Sequence, residues 1–199
     1  MPNKVRQQQM RQRIAAVAAR LMAEDGIDDF GHAKRKAARQ LGVEDTHALP
    51  NNDEVEEQLR AYQSLYQDEE QHDRLRELRA IALEVMQWLA DFRPHLTGPV
   101  LKGTATRYSD VDLHLFTDDP KAVDLLLLRR GIAYEARMPR RRGPETASSV
   151  AELALEHDGV VVNVSVFTEN ELRTSGKKNG PGKNDKASLS AVELLVSHD

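Results

Sequence analysis

The stretch Gly103-Thr-Ala-Thr-Arg-Tyr-Ser-Asp-Val-Asp-Leu-His-Leu-Phe116 decides the fold of this chain. From Asp110 to Phe116 polar and apolar residues alternate, which is the two-residue period of a half-buried strand. Val111, Leu113 and Leu115 then point to one face, and Asp110, Asp112 and His114 to the other. Two carboxylates at i and i+2 on one face repel at close range, and a divalent cation is the common remedy. The chain has no cysteine, so disulfides, thiolate nucleophiles and cysteine-ligated metals are excluded. Oxygen ligands without thiolate point to Mg²⁺ or Mn²⁺.

Upstream of this stretch the period is helical. Ile14, Val17, Ala18, Leu21 and Met22 predict a helix that stops at Asp25-Gly26, and Gly31 to Leu41 predicts a second that stops at Gly42. A third, capped by Asn52 or Asp53, carries Val55, Leu59, Tyr62 and Leu65 or Tyr66. A fourth runs through Leu75, Leu78, Ile81, Val85, Met86 and Leu89 and stops before Pro94, with Trp88 and Phe92 as core residues. Val100-Leu101-Lys102 reads as short and β-like. Downstream come a helix over Lys121 to Arg130, a strand-like segment over Gly131 to Met138, and strands over Val150 to Glu156 and Val160 to Phe167. Asp158-Gly159 joins the last two as a tight hairpin. Thr174 to Lys186, rich in Gly, Lys, Asn and Ser, reads as a mobile loop, and a short helix from Ser188 to Val196 closes the chain. The order predicts an α+β fold: a small mixed sheet backed by helices, with an N-terminal helical arm. The expected regions are 1–73 for the arm, 74–172 for the α/β core, and 173–199 for the loop and last helix.

Of the 199 residues, 40% are hydrophobic and 30% charged, a balance that argues against wholesale disorder and against a membrane protein. The longest leucine run, Leu125 to Leu128, is far too short to span a bilayer. Met1 to Arg13 is dominated by Gln, Arg and Lys rather than by the apolar core of a secretory signal, so the expectation is a cytoplasmic protein. The net charge of −4 gives no global pull toward nucleic acid. Basic residues cluster at Lys34, Arg35, Lys36 and Arg39 and again from Arg137 to Arg142, with an acidic stretch from Asp53 to Asp73 between them.

Gly103-Thr104 is expected to follow a short strand, where a glycine lets backbone amides and a hydroxyl approach a phosphate. A strand, a glycine with a small hydroxyl residue, a loop, then Ser-Asp-hydrophobic-Asp-hydrophobic resembles the signature of the DNA polymerase beta-like nucleotidyltransferase superfamily. The likeness runs from about Pro99 to Phe167. It implies a nucleotidyltransferase-like fold in which Gly103 and Thr104 contact the triphosphate, beside Lys102, Arg107 and Ser109. It also implies that Asp110 and Asp112 carry Mg²⁺ or Mn²⁺ for transfer of a nucleotide from a nucleoside triphosphate to a hydroxyl of a protein, an RNA or a small molecule. Only Ala105 to Ser109 separate the Gly-Thr pair from the first acid, where the family has a longer loop. The family's third carboxylate matches Asn163, which strand alternation puts on the polar face with Ser165. An amide can ligate weakly but cannot accept a proton, and Glu156 and Asp158 are nearby substitutes, although Asp158 also suits the turn.

Two functions therefore stand at this point. One is a metal-dependent nucleotidyltransferase with Asp110, Asp112 and Asn163 around the ion. The other is a catalytically inactive protein of the same fold that binds nucleic acid or a protein partner. His114 either reaches the substrate or is a strand-surface residue. Arg140, Arg141 and Arg142, with Arg137 and Lys102, either hold phosphates or form a solvated basic loop, as do Lys177, Lys178, Lys183 and Lys186. The first two helices resemble the opening of tetracycline-repressor-type DNA-binding domains, but the next helix begins Asp53-Glu54-Val55-Glu56-Glu57, which does not suit a phosphate-lined groove. The arm is better read as a packing or partner-binding bundle.

Overall fold

In the computed structural model, which describes residues 2–43, 49–66, 68–138, 149–178 and 186–198, the chain is α+β, with eight α-helices and six strands among those residues. Four helices come first: α1 (Pro2–Asp25), α2 (Phe30–Gln40), α3 (Asn52–Tyr66) and α4 (Asp68–Trp88). Then follow β1 (His95–Thr97), α5 (Gly98–Lys102), β2 (Val111–Phe116), α6 (Pro120–Arg129), β3 (Tyr134–Arg137), β4 (Ala151–His157) and β5 (Val160–Phe167). The chain ends with α7 (Glu169–Lys178), β6 (Ala187–Ser188) and α8 (Leu189–His198). It divides into two units, a helical unit of residues 1–75 with 103–109 and a sheet unit of residues 76–102 with 110–199. No helix among the described residues is long and apolar enough to cross a membrane.

The helical unit is built on alanine. Ala15, Ala18 and Ala19 of α1 and Ala33, Ala37 and Ala38 of α2 are buried with Ile14, Leu21, Met22, Val55 and Leu59. Small side chains let helix backbones approach closely, so few large residues are needed to fill this core. The start of α3 is fixed by a reciprocal pair of hydrogen bonds. The Glu54 backbone N–H donates to Asn51 Oδ1 (2.8 Å), and the Asn51 N–H donates to Glu54 Oε2 (2.6 Å). The cap is therefore Asn51, one residue before the expected Asn52 or Asp53, since Asn51 and Glu54 are the pair that exchange these bonds. Arg11 of α1 grips the same carboxylate through Nε and Nη2, which raises the Arg11 pKa and lowers that of Glu54.

The sheet has the strand order β3-β4-β5-β2-β1-β6. It is mixed: β2 runs parallel to β5, and every other neighbouring pair is antiparallel. Val111, Leu113 and Leu115 of β2 and Val160, Val162, Val164 and Val166 of β5 are buried, with half-buried Asp112, His114, Asn163 and Ser165 between them. One face of the sheet is thus apolar and the other polar. Asp158 and Gly159 both adopt positive φ at the β4–β5 turn, the backbone that the Asp-Gly pair predicts.

Two expectations fail here. Val100-Leu101-Lys102 is helical, not β-like, because Pro99 sits in the first turn of α5, where its fixed φ suits a helix. The buried Arg79 of α4 donates through Nε to the Val100 carbonyl (3.3 Å) and ties α5 to α4. Thr174 to Lys178 continue α7 rather than opening a loop; the rest of that expected loop, up to residue 185, lies outside the described residues, as do Arg140, Arg141 and Arg142.

Replacing Asn51 by Ala removes one of the two bonds at the α3 cap, and the helical unit is expected to lose about 1 kcal/mol in denaturant unfolding. A second expectation concerns pH. Burial pushes the His95 imidazole below its ordinary 6.5, opposed by the Arg93 carbonyl that accepts from Nδ1 and aided by the charge of Lys186. The folded state then favours neutral His95, so its contribution to stability is complete above that value and is lost as pH falls from it toward the lower folded pKa. A melting curve of His95→Gln should depend less steeply on pH than wild type between about pH 7 and pH 5.

Candidate active site on the polar face of the sheet

Strand register places the site residues in two rows across the sheet. One row runs Glu135, Ala154, Asn163, Asp112 and Thr97; the next runs Arg137, Glu152, Ser165, His114, His95 and Ser188. Directly paired residues share a face, so each row is a line of adjacent side chains. Asp110 stands just before β2 on the same face as Asp112, as alternation requires.

A single atom links the two acids. Asn163 Nδ2 donates to Asp110 Oδ2 (3.2 Å) and to Asp112 Oδ1 (3.4 Å), so both carboxylates converge on one point. The other end of that amide accepts from Arg137 Nη1 at 2.8 Å. The amide orientation follows from its neighbours: reversed, its NH₂ would meet the guanidinium donor to donor, and its oxygen would meet two carboxylates. Arg137 Nε also lies 3.5 Å from Glu135 Oε2. Asp112, Arg137, Glu152, Asn163 and Ser165 line one shallow cavity in the sheet unit.

The backbone beside Asp112 is fixed by Gly98. Its φ is +70°, and a Cβ built there would lie 2.5 Å from Asp112 Oδ2. Thr97, paired with Asp112, donates through Oγ1 to the Asp112 carbonyl (3.2 Å). Gly98-Pro99 is thus a glycine turn that follows a strand and abuts Asp112. The sequence carried a signal for it, a Gly-Pro step directly after the short run His95-Leu-Thr97.

Gly103 and Thr104 follow α5 rather than a strand and belong to the helical unit with Arg107 and Ser109. Gln71 Nε2 donates to the Gly103 carbonyl (2.9 Å), and Gln63 Nε2 to those of Thr104 and Ala105 (both 3.2 Å). Thr104 is buried, Ser109 Oγ accepts from the Thr106 N–H, and the Arg107 guanidinium lies 4.9 Å from the Tyr108 ring centre. Lys102 is exposed at the end of α5, in the sheet unit.

His114 packs its ring against Phe167, centroids 4.6 Å apart. Asp158 joins Glu84 and His157, the only three His, Asp or Glu residues among those described whose ligand atoms cluster closely enough to share an ion. Glu156 is exposed on β4. Asn163 is the residue whose side chain bonds to both acids. Glu152 was missed by sequence reasoning, although the alternation of Ala151 to His157 already puts it on one face with Ala154 and Glu156. Chemically, the pair offers hard oxygen donors converging on one point, which fits a divalent cation, whereas Asn163 at present offers that point its N–H groups.

No protein-family model matches this chain, and no curated protein is significantly similar to it.

Gly98→Ala should cost more stability than Gly131→Ala, since Gly131 has a similar φ of +68° with nothing near its would-be Cβ. The strain common to both is about 1–2 kcal/mol. Amide chemical shifts should move around Asp112 and Asn163 in the first variant only; equal costs and silent shifts would mean that Gly98 does not shape the site.

Proposed function

We propose that the sheet unit is a nucleotidyltransferase-like domain that transfers a nucleotide from a nucleoside triphosphate to a hydroxyl of a protein, an RNA or a small molecule. The observation that carries this reading is the convergence of Asp110 and Asp112 on one point beside the Gly98 turn. In the proposed reaction the acceptor oxygen bonds to the α-phosphorus, its proton goes to water, the bond to the bridging oxygen breaks and pyrophosphate leaves. Asp110 and Asp112 would hold Mg²⁺ or Mn²⁺, which supplies charge neutralisation at the phosphates. The Arg137 guanidinium, on the same face, matches the geometry of phosphate oxygens. A cytoplasmic location, where nucleoside triphosphates and Mg²⁺ are supplied, belongs to the same proposal.

A second reading is favoured by one observation: the third corner holds an amide, whose N–H groups already offset both carboxylates. In that reading the fold binds its nucleotide or a macromolecular partner without turnover.

The test incubates the purified chain with each labelled nucleoside triphosphate and Mg²⁺ or Mn²⁺, beside an Asp110→Asn, Asp112→Asn double variant. The expected result is metal-dependent nucleotide binding with pyrophosphate release, both reduced about 10-fold or more in the variant. Metal-dependent binding without pyrophosphate release would select the second reading. Absence of metal-dependent binding in the parent would end the first.

A further inference from the structure

We propose that Arg137 is a positioning residue that holds the Asn163 amide nitrogen against Asp110 and Asp112, keeping the cation site latched until the phosphates of a nucleoside triphosphate draw the guanidinium away. This rests on the reading of the site as one for a metal–nucleotide. The side chains form one chain of donors and acceptors: Arg137 Nη1 to Asn163 Oδ1, and Asn163 Nδ2 to both carboxylates.

Each link constrains the next. An amide has its donors at one end and its acceptor at the other, so a guanidinium on the oxygen forces the N–H groups toward the acids. In that state the point on which the carboxylates converge is served by partial positive charge from the protein itself. A cation placed there would meet N–H groups instead of an oxygen. Turning the amide about χ2 reverses this, presenting Oδ1 to the cation, but it also aims NH₂ at the guanidinium. The turn is therefore favourable only once Arg137 has another acceptor.

The position of Arg137 suits that exchange. Its side chain starts on β3, two strands from Asn163, and reaches across β4, where the residue paired with Asn163 is the small Ala154. It is exposed, and it lines the same cavity as Asp112, Asn163 and Glu152. A guanidinium binds phosphate oxygens through paired charge-assisted hydrogen bonds, which are stronger than one bond to a neutral amide. Triphosphate binding and exposure of the Asn163 oxygen thereby become one event, so that the cation gains its third ligand only when the nucleotide is in place.

The test uses the full chain and two probes. Mn²⁺ alone is titrated by the loss of the free-ion paramagnetic signal, and a fluorescent nucleoside triphosphate is titrated in excess chelator, without metal. Arg137→Ala should bind Mn²⁺ more tightly, about fivefold or more, and the metal-free nucleotide more weakly, about tenfold. A role confined to packing would not move the two affinities in opposite directions. Loss of a positive charge alone would tighten Mn²⁺ binding whatever stands at position 163, so the same comparison is made in the Asn163→Ala variant. There the gain from Arg137→Ala should fall to about twofold or less. Arg137→Lys, which keeps a donor for the amide oxygen, should restore most of the wild-type Mn²⁺ affinity. An equal gain with and without the Asn163→Ala substitution, or nucleotide binding that ignores Arg137, overturns the latch while leaving the metal reading intact. Failure of wild type, Arg137→Ala and Asn163→Asp alike to bind Mn²⁺ at millimolar concentration overturns both.

Discussion

Asp110 and Asp112 stand two residues apart at the mouth of β2, so strand geometry gives their side chains one face and sets their charges against each other. The cost of that arrangement has to be offset on the neighbouring strand. Parallel pairing puts Asn163 of β5 beside Asp112, and its NH₂ group reaches both carboxylates. An amide is neutral, so it offsets the repulsion without fixing a counter-ion in place. On the opposite side of Asp112, β1 and Gly98 complete the enclosure: the glycine leaves the space a side chain would fill, and Thr97 holds the Asp112 carbonyl.

Much of this was readable from local pattern. The alternation in Val111 to Phe116 and Val160 to Phe167 gave both strands, their buried faces and the placement of Asp112 and Asn163 on the polar one, since a period of two leaves no freedom once one face is apolar. Asp158-Gly159 marked its turn because few residues accept positive φ twice in succession. What escaped was whatever depended on partners distant in sequence. β1 and β6 are three and two residues long, too short to show a period, and exist because β2 and β1 supply an edge to pair with. Val100 and Leu101 look like a strand in isolation, yet Pro99 at the start of a turn and Arg79 on the Val100 carbonyl make them a helix. Gly103 therefore follows a helix rather than the expected strand. Gly103 is the more suggestive residue on paper, being followed by threonine, whereas the space a side chain at Gly98 would fill is that of Asp112.

The division of the chain gives the segment after α5 its meaning. Residues 103–109 are grouped with the helical unit, where Gln63 and Gln71 take up the carbonyls of Gly103, Thr104 and Ala105. Buried carbonyls need donors, and a loop without regular structure must find them in side chains. The two glutamines lie on α3 and α4, in a stretch that reads from the sequence as merely acidic. Ser109 is the last residue of this segment and Asp110 the first of the sheet unit, so the first carboxylate is covalently the next residue after a loop the helices hold.

Parallel pairing of β2 with β5 also sets an order of events. The β4–β5 hairpin closes over two residues and can form by itself, whereas the bond from Asn163 to Asp110 spans 53 residues of chain. Loop closure over such a separation is slow and comes after local contacts. On the ribosome the two acids emerge well before the amide that offsets them, and for that interval they are two solvated carboxylates with no defined separation. The site is thus complete only once β5 has paired with β2. Anything that recognises the finished arrangement of Asp110, Asp112 and Asn163 also distinguishes a fully folded chain from an incomplete one.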